Sequence, residues 1–355
     1  MLLACPIFPL FLETAQRCFI KEKNMFEKTK SLFLIVTSVL FMASCDSIRE
    51  DLPRCELWLE FTFDYNMEYT DAFKPQVQSV DVFVFGSDDK LLLTQRVESA
   101  ALVNGNRMSL ADALDLGSYK ILTVGNLSDS HRVLGQTGLS PVVKTTTLQE
   151  MVVSLQYESD VVDFEFPHLY LAPVLQVDYS GNSDKVYQVK LMRYTNRFNI
   201  ALMHYEESEG SGTRYSFEIE APDNAAYSWM QDEPVGEGPI TYKPHHTSWT
   251  RSTEVKATSQ LNTMRLLDKT GYKVAVRSEG SGAKVWDYDL IKLLGIARPT
   301  SRPDDTALPF QEYLDRQSEW NLVFVVTEKP GGAEGFLQVG LAVGPWIYWL
   351  HDMEI

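Results

Sequence analysis

Few side chains of this sequence have the types and spacing that catalysis or metal binding requires. His245 and His246 are adjacent, and neighbours on a strand point to opposite faces, so they cannot hold one ion together. Asp287 and Asp289 lack the alternating oxygen ligands and the glycine of a calcium loop. The sequence contains neither a Gly-x-Ser-x-Gly elbow nor a Cys-x-x-Cys pair. We therefore predict that the chain is not an enzyme, holds no metal or cofactor, and takes no small-molecule substrate.

An aromatic run near the C-terminus is a candidate recognition surface. Trp346, Tyr348 and Trp349 favour either a sugar-binding platform or a strand that packs or faces another subunit. Pro345 cannot donate a hydrogen bond to a ladder, which is typical of a segment near a sheet edge. The segment 346–355 is therefore expected either to lie at a subunit contact or to complete the last sheet.

One cysteine has the surroundings of a lipid attachment site. The lysines at 28 and 30 precede a charge-free apolar run of 13 residues, 31–43, which ends in Ala43-Ser44-Cys45. This run is too short for a bilayer of about 30 Å, which takes about 20 apolar residues, but it suits a cleaved signal peptide. Small residues before a cysteine resemble a bacterial lipobox, although Met42 stands where leucine is most common. The pattern predicts lipidation of Cys45, and a buried helix ended by an ordinary cysteine is the alternative.

The leader also defines the predicted organisation of the chain. Met25 is a natural start, so residues 1–24 are expected to be an over-extended reading frame, and a hydrophobic, membrane-associated leader is the alternative. A polar loop, Ser180–Asp184, is the best candidate for a domain boundary. The predicted segments are a signal peptide at 25–44, a lipidated tether at 45–54, an N-terminal β-sandwich at 55–184 and a C-terminal β-sandwich at 185–355.

The acidic composition disfavours two classes of partner. The predicted mature chain, 45–355, has 311 residues with 27 basic and 45 acidic side chains, a net charge of −18. So acidic a surface disfavours nucleic acid and anionic lipid, which bind basic surfaces. Beyond Cys45 only Cys55 remains, so no intramolecular disulfide is available.

Hydrophobic periodicity in the first half predicts strands. Apolar residues alternate with polar ones over Leu57–Phe63, which is typical of a half-buried strand. A second strand is expected at Val80–Phe85, closed by a turn at Gly86–Asp89. Phe61 and Phe324 are expected to be buried in different sandwiches.

The second half combines strands with two short helices. A helix is expected at Asp289–Leu294, and one turn at Gln311–Arg316 should pack its apolar side while Glu312 and Arg316 face water. A hairpin is expected at Lys269–Gly271. Many short strands between turns indicate an all-β chain, most simply two β-sandwiches in tandem with short helical insertions.

Several short segments resemble the FimB-type fimbrial anchor subunits of Bacteroidota. The resemblance extends over nearly all of 45–355, and the proline in Gly344-Pro345-Trp346 departs from the Gly-Trp strand typical of that family. The segments are 49–55 with the strand 57–63, 80–85, Gly117-Ser118-Tyr119, Leu191–Arg197, Asp289-Leu290-Ile291, Gln311–Arg316 and the strand 322–327.

This resemblance implies two transthyretin-like β-sandwiches on a lipid tether. It implies a protein in the outer membrane that is exposed on the cell surface, binds fimbrial stalk subunits, ends the polymer and holds it to the cell. Two alternatives stay open on the sequence. One is a polymerising stalk or tip pilin of the same superfamily, matured at an arginine such as Arg49, Arg54 or Arg96. The other is a surface glycan-binding lipoprotein.

The lipid assignment predicts the effect of one substitution. Cys45→Ala should abolish labelling with a palmitate analogue and release the protein from membranes, because stable anchoring needs more than one acyl chain. Cys55→Ala, which removes the other cysteine of the mature chain, should leave labelling unchanged. Labelling that persists in the Cys45 variant would exclude this cysteine as the lipid site.

Overall fold

A computed structural model describes residues 55–103, 105–135, 138–204, 214–223, 225–235, 238–250, 255–329, 333–343 and 346–350. These residues belong to one compact unit, Cys55–Ile355. The predicted over-extended start, signal peptide and tether, with Cys45, lie outside the described residues.

Strands dominate the described residues. In chain order they are β1 Leu57–Tyr65, β2 Ser79–Phe85, β3 Leu91–Glu98, β4 Arg107–Ser109, β5 Gly117–Gly125, β6 His131–Leu134, β7 Val152–Leu155, β8 Val161–Val162, β9 Tyr170–Leu171, β10 Leu175–Tyr179, β11 Lys185–Arg193, β12 Thr195–His204, β13 Tyr215–Ala221, β14 Ala226–Ser228, β15 Glu233–Pro234, β16 Ile240–Tyr242, β17 His246–Trp249, β18 Val255–Met264, β19 Lys273–Ser278, β20 Lys284–Asp289, β21 Glu319–Lys329, β22 Ala333–Val343 and β23 Trp346–Leu350. The helices are α1 Phe73–Gln76, α2 Leu290–Gly295 and α3 Phe310–Arg316, with 3-10 turns at Ser99–Ala101 and Leu148–Glu150. The predicted all-β class with short helical insertions is confirmed.

These strands form four sheets. The largest has eight strands in the order β3-β2-β5-β9-β11-β1-β4, with β10 also paired to β5. A six-stranded sheet runs β17-β18-β12-β21-β22-β23, and a five-stranded sheet runs β20-β19-β13-β16-β8. The fourth sheet has the order β15-β14-β7-β6.

The N-terminal core lies within the eight-stranded sheet. The predicted alternation in β1 is confirmed, because Leu57, Leu59, Phe61 and Phe63 are buried while the residues between them are partly exposed. They share one apolar cluster with residues of β2, β5, β10 and β11. Strands far apart in the sheet order therefore face one another, which requires the sheet to curl around this core.

A second apolar cluster covers the other face of β2 and fills the C-terminal half. Every residue of β2 is buried, since both faces of the strand are covered. Val80, Val82 and Val84 belong to the first cluster, and Phe83 and Phe85 belong to the second. In the C-terminal half, the ring of Phe324 lies 5.1 Å from that of Phe217 on the facing five-stranded sheet. Phe61 and Phe324 are thus buried in different clusters, as predicted.

Strand pairing crosses the predicted boundary at 184/185. The strand after the Ser180–Asp184 loop, β11, pairs in parallel with β1, so the loop does not separate two sheets. In addition β8 pairs with β16, and β7 pairs with β14. The first sheet ends near Tyr194 instead, since β12 begins the six-stranded sheet. That residues 55–184 and 185–355 fold as separate units stays a prediction.

The hairpin predicted at Lys269–Gly271 is wrong. The strand before it, β18, pairs with β12 and β17, whereas the strand after it, β19, pairs with β13 and β20 in another sheet. The connection is an arch between sheets, in which Lys269 pairs with Asp223 at 2.6 Å. A turn signal between two apolar runs does not distinguish an arch from a hairpin.

Both predicted helices are present. In α2 the Asp289 side chain caps the N-terminus by accepting a hydrogen bond from the Lys292 N–H at 2.9 Å. The helix α3 packs Tyr313 and Leu314 inward as predicted. The expectation that Glu312 and Arg316 face water is wrong, because they pair with each other at 2.7 Å and are only about one-eighth exposed (13% and 12%).

The core assignment predicts a large stability difference between two apolar truncations. Phe61→Ala should lower the free energy of unfolding by about 3–5 kcal/mol, because a fully buried ring leaves a cavity. Leu116→Ala should change it by less than about 0.5 kcal/mol, because Leu116 is 65% exposed. Urea denaturation measures both, and equal losses would contradict this placement of the core.

Candidate functional site

The residues singled out in the sequence do not come together in one site. The His245 ring donates its Nε2 hydrogen to the side-chain oxygen of Asn262 at 3.2 Å, and His246 is exposed at the start of β17. Asp287 pairs with Lys273 and Lys284. Within the described part of the chain, no group of three or more His, Cys, Asp or Glu side chains could hold a metal ion.

A buried arginine instead organises the most elaborate polar cluster. Arg265, 7% exposed at the end of β18, donates to both carboxylate oxygens of Asp315, at 2.7 and 3.0 Å. Its Nη1 donates to the Tyr194 oxygen at 3.2 Å and to Asp232. Tyr194 in turn donates its hydroxyl hydrogen to Asp232. The guanidinium therefore ties together four segments that are far apart in sequence.

Electrostatics keep this cluster in one protonation state. Burial opposes the charged guanidinium and is the largest single effect on its pKa. The hydrogen bond with Asp315 and the interactions with Tyr194, Asp315 and Asp232 together outweigh burial and raise the pKa of Arg265. Burial also raises the pKa of Tyr194 far above its usual range. The arginine is thus always charged and the tyrosine always carries its proton, so the cluster is a fixed set of donors and acceptors near neutral pH.

The helix α3 connects this cluster to the N-terminal sandwich. Gln311 donates to Asp315 at 2.9 Å, one turn along the same helix. Arg316 donates to the backbone oxygen of Asp64, near the end of β1, at 3.3 Å. It also donates to the backbone oxygen of Asn66, just beyond β1, at 3.1 Å. Arg316 also forms an ion pair with Glu312 of the same helix. One short helix therefore contacts both the arginine cluster and the last residues of β1.

Two tyrosine rings complete the contact with Arg316. Its guanidinium carbon lies 4.1 Å from the ring centre of Tyr65 and 4.4 Å from that of Tyr69, which is the geometry of a cation–π pair. Burial, with the charges of Asp315 and Glu312, raises the pKa of Tyr65 to about 12. Tyr69 has a φ of 52°, a left-handed conformation that is uncommon for a bulky residue.

These groups enclose a cavity of about 710 Å³ at the end of β1. Its apolar wall comes from β9, β11 and the segment that follows β9, and Trp229 closes one side. Pockets of roughly 300–1,000 Å³ with a few convergent polar groups are typical of ligand sites. The cavity is lined by Asp64, Tyr65, Tyr69, Leu171, Ala172, Pro173, Val174, Lys190, Leu191, Met192, Tyr194, Trp229, Asp232, Arg265, Asp315 and Arg316.

Sequence reasoning missed this cluster, although part of its signal was visible. Gln311–Arg316 and Leu191–Arg197 are segments that carry the family resemblance, and they meet here through Asp315 and Tyr194. Asp315 follows Leu314 on the buried side of α3, and a buried carboxylate requires a cation. Nothing local identifies Arg265 as that cation.

The predicted C-terminal strand forms the edge of the six-stranded sheet. β23 pairs with β22 in antiparallel register, with Val343 opposite Trp346 and Val339 opposite Leu350. Residues 346–350 therefore complete the last sheet, as one of the two interpretations predicted. Residues 351–355 lie outside the described residues, and a contact with another subunit stays a prediction. Among the described residues, no helix has the length and apolarity needed to cross a membrane.

Comparison with known proteins identifies a family over most of the chain. The model of the fimbrillin-A associated anchor proteins Mfa1 and Mfa2 matches residues 52–352. A search of curated proteins finds no match.

Several solved structures resemble this chain. A putative adhesin from Bacteroides ovatus is 61% identical, with a TM-score of 0.78 over 87% of this chain and 99% of its own. A putative polysaccharide binding protein from Bacteroides thetaiotaomicron is 25% identical, with a TM-score of 0.70 over 84% of this chain and 99% of its own. The fimbrial anchor protein Mfa2 from Porphyromonas gingivalis is 16% identical, with a TM-score of 0.60 over 84% of this chain and all of its own (100%); at that identity it shows a shared fold.

The buried ion pair predicts an asymmetric response to two conservative substitutions. Asp315→Asn should lower the free energy of unfolding by about 3–5 kcal/mol, because it leaves the buried Arg265 charge without its bidentate partner. Asp232→Asn should cost far less, because Asp232 has a side chain that is 57% exposed. Chemical denaturation of both variants tests this, and equal losses would show that Asp315 has no special role.

Proposed function

This chain belongs to the family of fimbrillin-A associated anchor proteins Mfa1 and Mfa2, and we propose from this that it is the lipid-tethered base of a fimbrium. In this proposal Cys45 carries the lipid in the outer membrane and residues 46–54 form a short surface tether. The folded unit then binds fimbrial subunits, ends the polymer and keeps it on the cell.

The point where the tether enters the folded unit is well fixed. Tyr179 donates its hydroxyl hydrogen to the Cys55 backbone oxygen at 2.6 Å, and the Cys55 thiol donates to the Gly181 oxygen at 3.0 Å. The Glu56 N–H donates to Asp184 at 2.7 Å. Pulling on residues 45–54 would therefore load the start of β1 and the loop before β11, which are joined by strand pairing.

The observation that carries the proposal is the direction in which β1 runs. Its first residue follows the tether, whereas its last residue, Tyr65, lies against Arg316 of α3. The nine residues of the strand make eight steps of about 3.3 Å, which separate these two ends by roughly 26 Å. A tether at one end and the C-terminal half at the other supports an arrangement in which the second sandwich points away from the membrane toward the fimbrium.

The edge strand β23 is the proposed contact with the first fimbrial subunit. An edge strand has backbone N–H and C=O groups on its outer side that a neighbouring chain can pair with. β23 stands at the edge of the six-stranded sheet. All strands of this sheet come from the C-terminal half of the chain, whereas the tether precedes β1. This location supports a contact with the polymer rather than with the membrane.

Removal of the protein tests the anchoring role against the stalk and tip alternatives. In a strain without it, fimbriae should assemble but be released into the medium and grow longer, because nothing ends or holds the polymer. The wild-type chain and the Cys55→Ala variant should restore cell-held fimbriae, whereas Cys45→Ala should not. Loss of polymer would indicate a stalk subunit, and cell-held fimbriae of normal length would contradict anchoring.

Truncation separates the roles of the last strand and of the residues beyond it. A chain that stops after Val343 lacks β23, and we expect it to release fimbriae although circular dichroism shows a β-rich fold. The matched control stops after Leu350 and keeps β23, so it should anchor normally. Normal anchoring by the shorter chain would reject β23 as the contact.

A further inference from the structure

We propose that the cavity at the end of β1 binds a neutral oligosaccharide, independently of fimbrial anchoring. The cavity combines aromatic walls, a rigid polar floor and a balance of charges. Each of these features restricts the chemistry of the ligand.

The charges lining the cavity cancel. Three cationic side chains, Lys190, Arg265 and Arg316, line the same space as the carboxylates of Asp64, Asp232 and Asp315. A strongly charged ligand would meet as much repulsion as attraction, and it would lose its hydration on entering. The balance therefore favours a ligand that is polar but uncharged.

The polar floor is arranged before any ligand arrives. Arg265 is held by Asp315, Tyr194 and Asp232 and has little freedom to move. Asp232 lines the cavity with a side chain that is 57% exposed, so a ligand can reach its carboxylate. A carboxylate held in place by Arg265 and Tyr194 offers a fixed acceptor to the hydroxyl groups of a ligand.

The walls supply faces for the apolar side of a sugar ring. The Trp229 indole donates its Nε1 hydrogen to the Ala172 backbone oxygen at 3.3 Å, which fixes the ring at the cavity wall. The Trp229 ring is therefore a fixed surface on which the apolar face of a sugar ring can stack.

The backbone around the cavity disfavours an added peptide strand. β11 lines one wall, and Met192 in it is already paired with Tyr65 of β1 on one side and Leu171 of β9 on the other. An extended peptide recognised by strand addition needs a free edge. The available partners are side chains, which suits an oligosaccharide.

Calorimetric titration tests this proposal with defined probes. The mature chain carrying Cys45→Ala, purified without detergent, is titrated with cellotetraose, mannotetraose, xylotetraose and galactotetraose, and with tetragalacturonate as the charged comparator. We expect at least one neutral probe to bind with a Kd below about 10 mM. Tighter binding of the charged probe, or binding of none of the neutral ones, would overturn the proposal.

Variants then locate the binding site. Asp232→Asn should weaken binding about tenfold or more, because it removes a charged hydrogen-bond acceptor, and Trp229→Ala should abolish it. Trp249→Ala is the matched control, since Trp249 lies on β17 outside the cavity. Thermal melting confirms that each variant is folded. Binding that survives both cavity variants, or is lost only in the control, would place the site elsewhere and reject this one.

Discussion

The arrangement of this molecule depends on the burial of one guanidinium group. Arg265 loses its hydration in the interior and regains hydrogen bonds by donating to Asp315, Tyr194 and Asp232. These partners come from α3, from the connection between β11 and β12, and from the segment after β14. The charge therefore specifies how the last helix packs, and apolar packing alone would allow α3 to shift.

The position of α3 in turn decides what the two ends of the molecule can do. Because α3 is fixed by the Arg265 cluster, Arg316 is held between Tyr65 and Tyr69 at the end of β1. A force applied through the tether would pass along β1 into these contacts and on to the six-stranded sheet. A rigid connection of this kind suits the proposed role of carrying load between a polymer and a membrane, and the same contacts line the cavity beside them.

Local patterns predicted the elements better than their connections. Period-two alternation located β1, and the apolar stripe of Leu290, Leu293 and Leu294 located α2, because both signals lie within a few residues. The arch at Lys269–Gly271 and the return of β11 to the first sheet were not predictable, since no local residue records which sheet a strand joins. The buried Arg265–Asp315 pair was missed for the same reason, because its partners are 50 residues apart.

The intact mass of the mature protein from cells is the most direct test of the proposed role as a lipid-tethered base. We expect a chain that begins at Cys45 and carries the acyl chains of a bacterial lipoprotein. An unlipidated chain that begins beyond Arg49 or Arg54 would contradict it, because such a protein has lost its connection to the membrane and would have to be a polymerising stalk or tip subunit.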